Sequence, residues 1–282
     1  MGARNIGYAY VAASEFYSKP QIKTFRDGGA EYVGTSAFYN CTGLEEVDLP
    51  NCSFVGSNAF DHCSSLGEVN APSCTTLYSY AFYSCTNLSS VNMPMIKSIE
   101  NDVFAKTGIP HASFPLCTSV GYAAFQGATS LSAVSLPVCA DGSYQYTFAS
   151  CTALTDVYMP KLSVTARYMF ASCTALSKIT LEACTSISGS TILGCTALQV
   201  ASFPKCQVID YGAFQSCSKL SALILASTTV CRLNRTEGFG DTAIAKGSGY
   251  IYVPSSKLAA YKASANWSNY SSRFSAIENM KL

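Results

Sequence analysis

Charge is scarce in this sequence. Only 12% of its 282 residues are Asp, Glu, Lys or Arg, and the formal net charge is +1. A nucleic-acid binder needs clustered Lys and Arg to displace the counterions of a polyanion, and that electrostatic footprint is missing. A polybasic membrane patch is missing as well, and no apolar run approaches the roughly 20 residues that span a bilayer. Histidine is confined to His62 and His111. Nucleophilic catalysis requires a base oriented beside a nucleophile. The sequence places no third group to orient either histidine, so the chain is expected not to be an enzyme. Gly238-Phe239-Gly240 lacks the strand-to-helix context of a phosphate-binding loop. No secretory leader is visible at Met1-Gly2-Ala3-Arg4, so either export does not occur or a leader has been removed.

What the chain has instead is a period. Phe38, Phe60, Phe82, Phe104, Phe125, Phe148, Phe170, Ile192 and Phe214 follow one another at 21 to 23 residues, mostly 22. Units this regular bury their apolar side only by stacking on their neighbours, which makes a solenoid. Between Leu44 and Cys52 the pattern is L-x-x-V-x-L-x-x-C, the core of a leucine-rich repeat. Val47 and Leu49 alternate at the strand period, so they point inward and Asp48 points out. A Pro after most of these short strands ends the ladder. Five residues before each Phe another apolar residue, such as Val33, Val55 or Leu77, implies a second short extended segment. The Ala-Phe-x-x-Cys stretch reads as a single α or 3₁₀ turn.

The expected fold is an α/β solenoid: a right-handed repeat stack with a narrow parallel sheet, short α/3₁₀ turns, about nine clear repeats and terminal caps. Sheet strands are expected at 46–49, 68–71, 90–93, 133–136, 156–159, 178–181, 200–203 and 222–225. Phe16, Ile22 and Phe25 keep the register, so residues 1–29 read as a degenerate N-terminal capping repeat, followed by repeats over 30–231. Residues 232–282 read as a final strand and helical cap, in which Ser255 caps a helix and Trp267, Tyr270, Phe274 and Ile277 cover the last coil. The unbroken register argues for one continuous domain, and a monomer is expected.

Fourteen cysteines invite a disulfide or zinc reading, but their positions argue otherwise. Seven share one repeat position (Cys41, Cys63, Cys85, Cys151, Cys173, Cys195, Cys217). Six share another (Cys52, Cys74, Cys117, Cys139, Cys184, Cys206), and Cys231 is left over. With no C-x-x-C and no histidine at ligand spacing, neither a metal nor a cofactor is expected. Two ladders of small buried thiols fit better. Parallel Cβ vectors in equivalent coils suit disulfides poorly.

The Ala-Phe-x-x-Cys-x-x-Leu-x-x-Val-x-Leu-Pro unit resembles the BspA-like class of bacterial leucine-rich repeat proteins. The ending Tyr250-Ile-Tyr-Val-Pro254, with Ala260-Tyr261-Lys262 and Trp267-Ser268, is similar to that family's C-terminal cap. The resemblance implies a surface or secreted adhesion module that recognises a protein or a glycan. A structural or display component of a cell-envelope or phage assembly is the alternative reading.

The candidate binding surface draws on two sets of residues. Glu46, Asp48, Glu68, Asn70, Asn92, His111 and Tyr158 fall at outward strand positions, the acidic ones forming a solvated patch that could attract a cation or a basic partner. Tyr39, Tyr83 and Tyr168 lie beside or just before the core Phe. They provide large contact area at low entropy cost, or else pack over neighbouring coils with wet hydroxyls. His62 reads as a variant of the polar row that holds Ser84, Ser150, Ser172 and Ser216 elsewhere.

Overall fold

The computed structural model describes residues 10–280. Residues 1–9 of the expected capping repeat, including the Met1–Arg4 stretch read for a leader, lie outside the described part. The chain divides into two compact units, Met1–Val138 and Cys139–Leu282. Each is a parallel β-solenoid of coils of about 22 residues, as the period requires.

In the first unit every coil but the last contributes one three-residue and one two-residue strand. The longer ones are β1 (Thr24–Arg26), β3 (Glu46–Asp48), β5 (Glu68–Asn70), β7 (Ser90–Asn92), β9 (His111–Ser113) and β11 (Ala133–Ser135). The shorter ones are β2 (Tyr32–Val33), β4 (Phe54–Val55), β6 (Thr76–Leu77), β8 (Ser98–Ile99) and β10 (Ser119–Val120). The longer strands form a sheet in the order β1-β3-β5-β7 and a separate pair β9-β11, while all five shorter strands form one sheet. Every pairing is parallel with one-coil register, as in Val47 opposite Val69. The expected strands are therefore present, each ending one residue earlier, and the next residue, as at Leu49 and Ala71, is still buried.

The break between β7 and β9 has a local cause. In regular coils the residue before the strand donates its N–H to the preceding coil, as Ser89 does to the Gly67 carbonyl at 3.0 Å. Pro110 occupies that position in the shortened fourth repeat and has no N–H to give.

The Ala-Phe-x-x-Cys stretch is a third hydrogen-bonded wall. The backbone is left-handed two residues before and two after the core Phe, as at Ser36 (φ 54°), Asn40 (φ 56°), Asn58 (φ 56°) and His62 (φ 59°). This alternation sends the N–H groups of Ser36, Phe38 and Asn40 to the next coil (Ser57, Ala59 and Asp61 carbonyls, 2.7–2.9 Å), whereas Ala37, Tyr39 and Cys41 donate to residues three back. Half of the bonds are thus those of a 3₁₀ turn, as expected, but no helix can propagate. Left-handed non-glycine residues cost about 1–2 kcal/mol each. The inter-coil hydrogen bonds, about 1 kcal/mol apiece, offset much of that.

Inside, the phenylalanines stack coil on coil. Ring centroids from Phe16 to Phe125 lie 4.9–5.5 Å apart with nearly parallel planes. All of these rings from Phe38 onward are completely buried. The two cysteine rows do different work. In the row after Phe, each thiol reaches back to the carbonyl of the preceding coil's core residue, Cys63 to Phe38 (3.1 Å) and Cys85 to Phe60 (3.0 Å). In the other row the thiol closes a turn within its own coil, Cys52 to Phe54 (3.1 Å) and Cys117 to Ser119 (3.3 Å). In the fourth repeat Thr107 takes the first role's place and bonds Phe104, while buried Ile96 replaces the second thiol by apolar volume.

The second unit repeats the plan. Its longer strands are β12 (Asp156–Tyr158), β13 (Lys178–Thr180), β15 (Val200–Ser202), β17 (Ala222–Ile224), β19 (Tyr250–Val253) and β20 (Phe274–Ala276). Its shorter ones are β14 (Ser186–Ile187), β16 (Val208–Ile209) and β18 (Arg232–Leu233). They pair in the orders β13-β15-β17-β19-β20 and β14-β16-β18. Within the glycine-rich stretch Phe239 supplies a further core ring, stacked 5.3 Å from Phe214.

Trp267 is buried against Phe239 at 5.8 Å, its indole N–H donating to the Cys231 carbonyl at 2.5 Å. The Tyr270 hydroxyl donates to the Thr236 carbonyl at 2.6 Å. The helix α1 (Leu258–Ala263) is preceded by a 3₁₀ turn, and Ser255 does not cap it. Ser255 instead donates to Glu278 at 3.2 Å. Phe274 lies in β20, which extends the sheet, with its ring 5.4 Å from Tyr261 and 5.7 Å from Trp267.

Candidate functional site

The ten candidate residues separate onto two walls. Glu46, Asp48, Glu68, Asn70, Asn92 and His111 lie on the face of the longer strands in the first unit, and Tyr158 on the corresponding face of the second, where it is the most exposed large hydrophobic side chain among the described residues, at 59%. Tyr39 and Tyr83 belong to the turn wall of the first unit, and Tyr168 to that of the second.

On the strand face, register converts the sequence period into side-chain ladders. The Asn92 amide donates to the Asn70 carbonyl oxygen at 2.7 Å, and the Asn70 amide donates to Asp48 at 2.7 Å. The carboxylates of the acidic patch are partly paired within the chain. Arg26 grips Glu46 through two contacts of 2.6 and 2.8 Å, and Lys23 pairs with Glu45 at 2.7 Å. These cations sit in the preceding coil, one register step away; with the Asn70 amide on Asp48, three of the four carboxylates Glu45, Glu46, Asp48 and Glu68 have donors. Glu68 remains exposed. At the far end His111 lies 3.3 Å from the Ser132 hydroxyl.

On the turn wall the tyrosines form an aromatic row. Tyr17 and Tyr39 stack at 4.9 Å, and His62 sits between Tyr39 (6.0 Å) and Tyr83 (5.7 Å). Lys106 donates to the Tyr83 hydroxyl at 2.7 Å. Stacked rings spend their faces on each other, so this row offers edges and hydroxyls outward. His62 is more than a serine variant. Its Nδ1 lies 2.5 Å from the Oδ1 of buried Asp61, whose other oxygen accepts from Asn58 at 2.9 Å. Asp61 is therefore the orienting group that sequence reasoning missed, although it is the adjacent residue. The neighbours of the imidazole are tyrosine rings, and no Ser or Cys nucleophile bonds to it among the described residues.

The shorter strands were expected, but the aromatic row along them was not. Along the shorter strands Tyr10, Tyr32 and Phe54 stack at 5.0 and 4.9 Å, and Tyr78 meets Phe54 edge-on at 5.8 Å. Gly34 and Gly56 leave a cleft of about 410 Å³ beside these rings. A Cβ on either glycine would come within 2.9 Å of the neighbouring coil's backbone. The available signal was an aromatic residue immediately before Val33 and Val55. In the second unit, Arg167, Gly189, Asp210, Tyr211 and Arg235 line another cleft of about 360 Å³. Nothing in their spacing pointed to it.

All fourteen cysteines are free and buried. Burial pushes the Cys139 thiol up to about 11 and Cys184 to about 12, and raises Cys85 well beyond the ordinary thiol range. These are inert, protonated packing groups rather than nucleophiles or ligands. Among the described residues no group of three or more His, Cys, Asp or Glu is placed to hold a metal ion. No helix among them is long and apolar enough to cross a membrane.

Comparison with known proteins agrees with this architecture. The family model of the BspA type leucine rich repeat region matches in six copies, over residues 10–126 and 97–221. A leucine-rich repeat protein from Bacteroides ovatus is similar in structure, with 20% identity and a TM-score of 0.57 over 86% of this chain and 75% of that one. The T. pallidum leucine-rich repeat protein is 21% identical, with a TM-score of 0.44 over 59% of this chain and 71% of its own. A leucine-rich cell surface protein from Faecalibacterium prausnitzii is 19% identical, with a TM-score of 0.37 over 77% and 83%. At these identities the likeness to Bacteroides ovatus concerns the fold alone. No curated protein sequence matches the chain significantly.

Proposed function

We propose that this chain, which belongs to the BspA-type leucine-rich repeat family, is a non-catalytic binding module that recognises a protein or glycan at a bacterial surface or after secretion. The observation that carries this reading is the repetition of outward polar and aromatic groups at one-coil spacing. The Asp48-Asn70-Asn92 ladder and the Tyr17-Tyr39-His62-Tyr83 row each present an ordered line of donors, acceptors and ring edges. Such lines are pre-organised by the backbone ladders beneath them, so a ligand orders little on binding. Catalysis asks for the opposite, a convergence of different groups on one reacting atom. The Asp61-His62 pair is the nearest approach to that, and it lacks a nucleophile.

The binding surface in this reading is the strand face with Glu46, Asp48, Glu68, Asn70, Asn92, His111 and Tyr158, together with the tyrosines of the turn wall, Tyr39, Tyr83 and Tyr168. The test is a panel of host matrix proteins and glycans probed with the unaltered protein and with two variants, Asp48→Ala/Asn70→Ala/Asn92→Ala and Tyr39→Ala/Tyr83→Ala. At least one panel member should bind, and one variant should weaken it by about thirtyfold, the scale of a lost hot spot. A panel with no signal above a scrambled-surface control refutes the proposal.

A further inference from the structure

Within the second unit, the cleft of about 360 Å³ has an unusual electrostatic make-up. Its floor is Gly189, a buried residue two positions after the end of β14. A Cβ there would stand 3.0 Å from the Tyr211 carbonyl oxygen, 3.8 Å from Asp210 Oδ2 and 3.9 Å from Arg167 Nε. Only glycine keeps that space open, and it brings a guanidinium and a carboxylate oxygen to face the same void. Arg235 closes the other side, its guanidinium 5.9 Å from the Tyr211 ring, as Arg167 lies 5.5 Å from Tyr168. Among the described residues neither arginine is in an ion pair, whereas Arg26 in the first unit is paired with Glu46. Asp210 is anchored rather than neutralised. Its Oδ1 accepts from the Tyr211 N–H at 2.8 Å and from the Asn234 amide at 3.2 Å, leaving Oδ2 toward the cleft.

We propose that this cleft binds an acidic sugar, a ring carrying a carboxylate or sulfate together with hydroxyl groups. The two guanidiniums supply forked donors that match the planar oxygens of an oxyanion. Asp210 Oδ2 repels a second anionic oxygen but accepts a sugar hydroxyl, so the ligand must be anionic at one end and a hydroxyl donor at the other. Tyr211, 43% exposed, gives the ring an apolar edge to lie against. Two cations and one anion in the wall leave a single positive charge, which one oxyanion neutralises. This rests on the binding reading above and gives it a ligand class and a location.

The experiment is titration calorimetry of the full chain with glucuronate, glucose 6-sulfate, glucose and inorganic sulfate, repeated for Arg167→Met, Arg235→Met and Asp210→Asn. At least one acidic sugar should saturate at about millimolar concentration, as a single small-ligand site would. Glucose should bind at least about tenfold more weakly, since it forgoes the charge-assisted bonds. Each arginine variant should lose about tenfold or more for the same reason. Asp210→Asn should narrow the preference for the acidic sugar over inorganic sulfate. Both arginines are exposed, so their variants keep the fold, and an independent check needs no variant: added salt should weaken the unaltered protein's binding. No saturable binding, equal binding of glucose, or indifference to both arginine substitutions overturns the proposal. Panel ligands that still bind an Arg167→Met/Arg235→Met double variant would leave the general binding reading standing while this site falls.

Discussion

Replacing Phe82 by Ala tests the core of the architecture most directly. Phe82 is completely buried and stacks on Phe60 at 5.3 Å and on Phe104 at 5.5 Å, with interplanar angles of 4° on both sides. An aromatic side chain removes about 150–250 Å² from water, worth about 4–6 kcal/mol at 25 cal/mol per Å². Part of that is retained by the Ala methyl group, which brings the expected loss to about 3–5 kcal/mol, as measured for large-to-small core changes. The stack itself contributes a smaller share, about 0.5–1.5 kcal/mol per ring pair. Ile192 occupies the equivalent place in another coil and is equally buried. Phe82→Ile should therefore keep most of the burial, forfeit the stacking, and cost about 1–3 kcal/mol. Urea unfolding followed by far-ultraviolet circular dichroism measures both variants. A loss under about 1 kcal/mol for Phe82→Ala would mean that the coil does not depend on its ring, and the ladder would not be the source of cohesion.

Three further outcomes are expected. A thiol reagent should find almost no reactive group in the native chain and fourteen after denaturation without reductant, because every cysteine is free and buried; fast native labelling would contradict the ladder. Burial raises Cys184 from 9.0 to about 12, so its contribution to stability is complete below pH 9 and is lost as pH climbs toward 12. The unaltered protein's margin over Cys184→Ser in urea midpoint should accordingly narrow above pH 9, and a constant margin would refute the assignment. Finally, Trp267→Ala removes the ring that covers Phe239, so light scattering should show self-association before any large fall in the unfolding midpoint; a monomeric protein that is simply less stable would make 255–282 ordinary core.

The sequence by itself determined the coil. A 22-residue period of Phe, Cys, Leu, Val and Pro can bury its apolar members only by stacking, so strand positions, core rings and both cysteine rows were legible from spacing alone. Tertiary structure decided what spacing cannot express. The turn at Ala37-Phe38 looked helical locally, but Ser36 and Asn40 take left-handed conformations, and their own N–H groups find partners one coil away. Arg26 and Glu46 are twenty residues apart and meet only because parallel register sets neighbouring coils side by side, which turned an expected acidic patch into an ion pair. His62 looked unsupported until the fold buried Asp61 against it. The cleft at Gly189 was invisible for the same reason: Arg167, Gly189, Asp210 and Arg235 come from four successive coils, each at a position where the side chain varies from coil to coil. Period dictates what must be buried, whereas the groups that face outward are free to vary, and only their packed neighbours reveal which of them converge.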